Sequence, residues 1–234
     1  MITTVGMATT CEKHATSVDG AQATRLLRYA AAMRKCRRNS RCGMDACPRC
    51  NRRHVKRNVR LVEGLIRSIL PESLRFLDFD IPGTVATQDI DRTIAGIVIA
   101  VTRLTKGNTL WARYFSRWAG QVRAKLEAAQ GADSAAFRMS VRFVVEIQPA
   151  FDLTELQKRW RLLLHSLGLA PAENGDTALV HLVAAKGDAH QDATKLCRST
   201  TSWLAPITAL GAADVIAYHK VLPTLLSLRA HAGV

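Results

Sequence analysis

The chain has 234 residues, 48% of them hydrophobic and 22% charged, which fits a folded protein with one sizeable core and not a disordered tail. Its formal net charge is +14, from 33 Lys plus Arg against 19 Asp plus Glu. A field of that size draws polyanions, so DNA, RNA and anionic membrane are the candidate partners. Membrane is disfavoured: the longest apolar run in mid-chain, Ile97–Val101, is far too short to span a bilayer. The Thr-rich N-terminus with Glu12 lacks the apolar core of a secretion signal, so a cytoplasmic protein is expected.

In chain order, residues 1–19 read as polar and loose, and Gly20–Met33 as an Ala- and Leu-rich helix. A cysteine cluster follows, then a helix from about Asn51 to Leu70 with Val55, Val59, Val62, Leu65, Ile66 and Ile69 on one face, stopped by Pro71. Leu74–Ile81 reads as a strand ended by Pro82-Gly83. Thr87 is the expected cap of a helix over about 88–106, with Ile90, Ile94, Ile97, Val101 and Leu104 inward. Trp111, Tyr114, Phe115 and Trp118 fall at helical spacing, so Thr109–Gln130 is expected to be a further helix. Met139–Gln148 reads as a buried strand, Asp152 or Thr154 as the cap of a helix reaching Leu167, and Ala178–Ala185 as a third strand. Two last helices are expected over about 190–209 and 212–230. The predicted organisation is a helical, metal-binding basic unit over 1–70 and an α+β core over 71–234.

Six cysteines are present, and four of them fall within 15 residues as Cys36-x5-Cys42-x4-Cys47-Pro48-Arg49-Cys50. Without a secretion signal, such clustering argues for metal and not for disulfides. Two thiolates two residues apart can grip one tetrahedral Zn²⁺ at about 2.3 Å each. Cys36 and Cys42 can complete the set, and His54, one helical turn after Cys50, is a rival fourth ligand. Four protein ligands leave no open position, so the ion is structural.

Around these cysteines the basic residues crowd together. Arg34, Lys35, Arg37, Arg38, Arg41, Arg49, Arg52, Arg53, Lys56, Arg57 and Arg60 face a single acidic residue, Asp45, so that +10 of the chain's +14 lies between Met33 and Leu61. Arg52, Lys56 and Arg60 follow one helical stripe opposite Val55, Val59 and Val62. Like charges at that spacing repel by a few tenths of a kcal/mol per pair, which a polyanion would relieve. Contacts of this kind fix position on nucleic acid but read no sequence.

Cys42, Cys47-Pro48-Arg49-Cys50, Arg52, Arg53 and the run Phe76-Leu77-Asp78-Phe79-Asp80-Ile81-Pro82 together resemble the plasmid rolling-circle replication initiators; transposases with a related zinc unit show a similar order. The resemblance implies a HUH nuclease core of the ferredoxin-like kind, an antiparallel sheet with helices packed on it. It also implies Mg²⁺ or Mn²⁺ held by a His-hydrophobic-His strand and an acidic residue, and a Tyr that attacks a DNA phosphate and becomes linked to its 5′ end. Val144-Val145-Glu146-Ile147 resembles the acidic strand, and Leu179-Val180-His181-Leu182-Val183 the histidine strand, with Leu179 where the first His belongs. Val215-Ile216-Ala217-Tyr218-His219-Lys220 resembles the helix carrying the nucleophile and a nearby Lys. On this basis Glu146 and His181 are the candidate divalent-metal ligands, expected on neighbouring strands, and Tyr218 and Lys220 the candidate catalytic pair. The function so implied is a DNA-nicking replication initiator; with Leu179 in place of a ligand, the alternative is a zinc-containing DNA-binding regulator or replication accessory protein that does not cut. DNA is favoured over RNA by the resemblance alone.

Overall fold

The computed structural model describes residues 4–18, 20–37, 39–43, 47–86, 89–106, 109–127, 136–169 and 179–198. It opens with two helices, α1 (Thr4–Ala15) and α2 (Gly20–Arg34), packed on one another. The expectation that residues 1–19 are loose is corrected here. Met7, Cys11 and Ala15 recur every four residues and are buried with Ala8 against Leu26, Ala30 and Met33, while the threonines lie outside that stripe. Their small size keeps the mean hydropathy low, which hid the stripe. Glu12 accepts from Arg34 Nε at 2.6 Å and ties the helices together.

α3 (Pro48–Arg67) follows the cysteine cluster, as expected, with Pro at the first helical position, where its missing N–H costs nothing. Its inner face, Val55, Val59, Val62 and Ile66, is buried against Leu74, Phe76, Ala119 and Val144 of the sheet and Leu196 and Cys197 of the last described helix. Each such side chain contributes roughly 1.5–3 kcal/mol by leaving water. α3 thus belongs both to the cysteine-bearing unit and to the cover of the sheet.

The remaining elements are β1 (Leu74–Asp80), β2 (Val85–Ala86), α4 (Ile90–Thr105), α5 (Thr109–Tyr114), β3 (Phe115–Glu127), β4 (Ala136–Ile147), α6 (Leu153–Ser166), β5 (Val180–Ala184) and α7 (Ala189–Arg198). The class is α+β, with an open antiparallel sheet in the order β3-β4-β1-β5. β2 pairs with the start of β4, past the turn at Gly83, whose φ of 76° suits glycine. Directly paired residues share a face. Leu77 and Phe79 of β1 and Val141, Phe143 and Val145 of β4 point to the α4/α6 side, where Phe79 meets Trp160 and Phe143 edge-on at 5.1 and 5.2 Å. Asp152 caps α6 through the Thr154 and Glu155 amides at 2.8 and 3.3 Å.

The helix expected over 109–130 is the second correction. Only its first turns are helical; the chain then runs as β3 along β4 in long antiparallel register. Trp118, Gly120 and Val122 pair with Val145, Phe143 and Val141, so the alternation belongs to a strand even though the aromatic spacing fits a helix. Gly120 shows why the strand is fixed there: a Cβ on it would lie 2.4 Å from Phe143 Cε1. Pairing with the buried β4 overrides the weak strand propensity of the Ala-, Lys- and Glu-containing segment.

Candidate metal centre and nucleic-acid interface

The cysteine centre is assembled from the end of α2 and the start of α3. Cys36 leaves α2 with its amide donating to the Met33 carbonyl at 3.0 Å, and a turn closed by Arg37 N–H to Ser40 O at 2.7 Å brings the chain back to Cys42. Gly43 adopts φ 71°. Cys47 then stands at the N-cap of α3 and Cys50 in its first turn, with the Asn51 amide donating to the Cys47 carbonyl at 2.8 Å. The four sulfurs lie within 4.8 Å of one another; Cys36–Cys50 is 3.8 Å, Cys42–Cys50 3.6 Å and Cys47–Cys36 3.7 Å. A tetrahedron with metal–sulfur bonds of about 2.3 Å has sulfur–sulfur edges of about 3.8 Å. The residues therefore fit a metal ion such as zinc. The fourth ligand position is filled by Cys36, and His54 is not among the converging atoms.

The cysteines of the centre do not all shift the same way. The N-terminus of α3 carries the positive end of the helix dipole. Burial pushes the Cys36 thiol up, but hydrogen bonds from the Cys42 backbone and the other three thiols outweigh it and leave Cys36 below the ordinary cysteine range. Burial raises Cys50. Cys11 and Cys197, away from the cluster, are pushed up to about 11 and about 12, Cys11 by burial and then by Glu12, Cys197 by burial alone. They are inert core thiols.

Of the predicted nucleic-acid-binding residues, Arg37 and Arg49 are exposed but hydrogen-bonded to the backbone: Arg37 donates to the Arg34 carbonyl at 2.9 Å, and Arg49 donates to the Cys36 carbonyl at 3.0 Å, tying α3 to the first cysteine. Arg41, Arg52, Arg53, Lys56, Arg57 and Arg60 are exposed, five of them along α3 outside the stripe of its buried valines. Arg38 lies outside the described residues, as do Tyr218 and Lys220.

Glu146 and His181 share one sheet, but their expected placement on neighbouring strands is corrected: β1 runs between β4 and β5, with Leu74 opposite Glu146 and Asp78 opposite His181. Four residues along a strand and two strand spacings across place their Cα atoms roughly 16 Å apart. Glu146 accepts from Ser116 Oγ at 2.5 Å and lies 3.7 Å from Arg117 Nε, while His181 Nε2 lies 3.2 Å from Asp80 Oδ2. Sequence reasoning missed the polar stretch beside His181, where Arg142 holds Asp78 through two hydrogen bonds and the buried Arg123 Nε has no hydrogen-bond partner. Only the strand order reveals this group.

Among the described residues no helix is long and apolar enough to cross a membrane. Comparison with family models, with curated proteins and with solved structures finds no match for this chain.

Proposed function

We propose that the chain is a zinc-containing DNA-binding protein, acting as a regulator or accessory of plasmid-type replication, in which the metal centre holds the basic face of α3 toward the phosphate backbone. The supporting observation is the position of Cys47 and Cys50 in the first turn of the helix that carries Arg52, Arg53, Lys56, Arg57 and Arg60 on its exposed side. Zinc would lock the orientation of that helix relative to α2, while its buried valines fix it to the sheet. DNA as the polyanion, and replication as the setting, rest on the resemblance to rolling-circle initiators. The separation of Glu146 from His181 supports the non-cutting form of that reading, since a divalent ion polarising a phosphate needs its ligands in one place.

The test is duplex-DNA affinity measured between 50 and 200 mM salt for the zinc-loaded protein. The variant Arg52→Ala/Lys56→Ala/Arg60→Ala should flatten the slope of log K against log salt by roughly 2–3 units, about one per lost phosphate contact. An unchanged slope would place the binding surface elsewhere, and tighter binding of an RNA hairpin than of duplex DNA would reassign the partner. Incubation with supercoiled plasmid and Mn²⁺ should give neither open circles nor a covalent adduct; nicking lost in Tyr218→Phe would instead restore the initiator reading.

A further inference from the structure

Beside the cysteine centre the surface is concave. A pocket of about 260 Å³ is lined by Arg41, Gly43, Cys50, Arg53, His54 and Arg57. Three arginines and a histidine line it, and among the described residues no carboxylate does. Arg53 and Arg57 stand one helical turn apart on α3, where like charges repel unless an anion lies between them. Arg41 lines the same space from the loop between Cys36 and Cys42, so closure of the cysteine centre brings a third arginine to the wall that Arg53 and Arg57 share. Four thiolates around a divalent ion would carry a charge of −2, fewer than the three arginines supply. The volume lies just below the range of about 300–1,000 Å³ typical of sites for drug-sized ligands, a scale suited to a phosphate group with part of its sugar. Guanidinium is the side chain whose planar fork matches phosphate oxygens in pairs.

We propose that this pocket is a phosphate-binding subsite in which Arg41, Arg53 and Arg57 grip one phosphate of the nucleic acid and His54 lines its wall. This rests on the nucleic-acid reading above but goes beyond it, because it separates one seated phosphate from the diffuse contacts of the Arg52, Lys56 and Arg60 stripe. The phosphate is an internal phosphodiester or a terminal monoester, which the same chemistry recognises.

The experiment uses the zinc-loaded full chain and two double variants of exposed residues, Arg53→Ala/Arg57→Ala in the pocket and Arg52→Ala/Arg60→Ala outside it, each checked for unchanged zinc content. Inorganic phosphate should shift the arginine Nε–H resonances of Arg53 and Arg57 saturably, while chloride at equal ionic strength does not. The pocket variant should bind a short oligonucleotide about tenfold or more weaker and lose competition by inorganic phosphate. The outer variant should lose oligonucleotide affinity but keep phosphate binding. A 5′-phosphorylated oligonucleotide binding about tenfold tighter than its 5′-hydroxyl counterpart identifies a terminal phosphate as the occupant, and equal binding identifies an internal one. The subsite is overturned if no saturable shift occurs, or if the pocket variant behaves as wild type while the outer variant weakens, a result that leaves the nucleic-acid reading standing. If neither variant weakens the oligonucleotide, the nucleic-acid reading falls with it.

Discussion

Replacing Cys50 by Ala would remove a sulfur that lies 3.6 Å from Cys42 and 3.8 Å from Cys36. A metal bound by all four cysteines cross-links Cys36 to Cys50, residues 14 apart. Closing a loop of that length restricts the unfolded chain by about 3 kcal/mol in the chain-entropy model. Cys50→Ala, or stripping the metal with a chelator, should therefore destabilise the α2–α3 junction by about that amount, a change of roughly a hundredfold in its opening equilibrium. Hydrogen exchange read by mass spectrometry resolves it, because the effect is local. Amides of the second half of α2 and the first half of α3 should lose protection by that factor, while those of β1 and β4, held by the sheet ladder, should keep theirs. Unchanged protection in α2 and α3 after both treatments would refute the reasoning, since it would mean that nothing bridges the sulfurs.

Two other perturbations probe the scaffold. Gly120→Ala would set a methyl 2.4 Å from Phe143, which is wedged among Phe79, Trp111 and Trp118, and should cost about 1–3 kcal/mol in urea unfolding. Glu63 joins α3 to α7 through His190 Nδ1 at 3.0 Å, and that hydrogen bond, then the one from Arg67, holds its pKa below the ordinary value of 4.5. A depressed carboxylate stabilises the fold above its unfolded pKa, and the gain is lost as pH falls through the folded value. Glu63→Gln should thus speed amide exchange in α7 at pH 7, and the difference should shrink as pH falls below 4.5 and the carboxylate is protonated. An effect of equal size across that range would show that charge is not what matters.

What the sequence made legible follows the range of the forces involved. The α3 face was readable because its valines repeat at helical spacing, and β1 and β4 because their apolar runs are bounded by Pro82 and Pro149. The metal set was readable because Cys36, Cys42, Cys47 and Cys50 are local, and the chain needs only one turn and one helix start to close them. β3 was not: its identity comes from β4, and its aromatic residues imitate a helical stripe. α1 was hidden because alanine and cysteine bury it with little apolar signal. The distance between Glu146 and His181 depends on β1 lying between their strands, a non-local pairing that no spacing along the chain encodes. The same holds for the pocket formed by Arg41 with Arg53 and Arg57.

The most direct test of the account is metal content and coordination of the purified full chain, by elemental analysis and X-ray absorption at the zinc edge. The account predicts about one zinc per chain, with a shell of four sulfurs at about 2.3 Å and no nitrogen from His54. Metal-free protein in which Cys36, Cys42, Cys47 and Cys50 all react freely with a thiol reagent in the native state would contradict it, and α3 would lose the cross-link that holds its basic face in place.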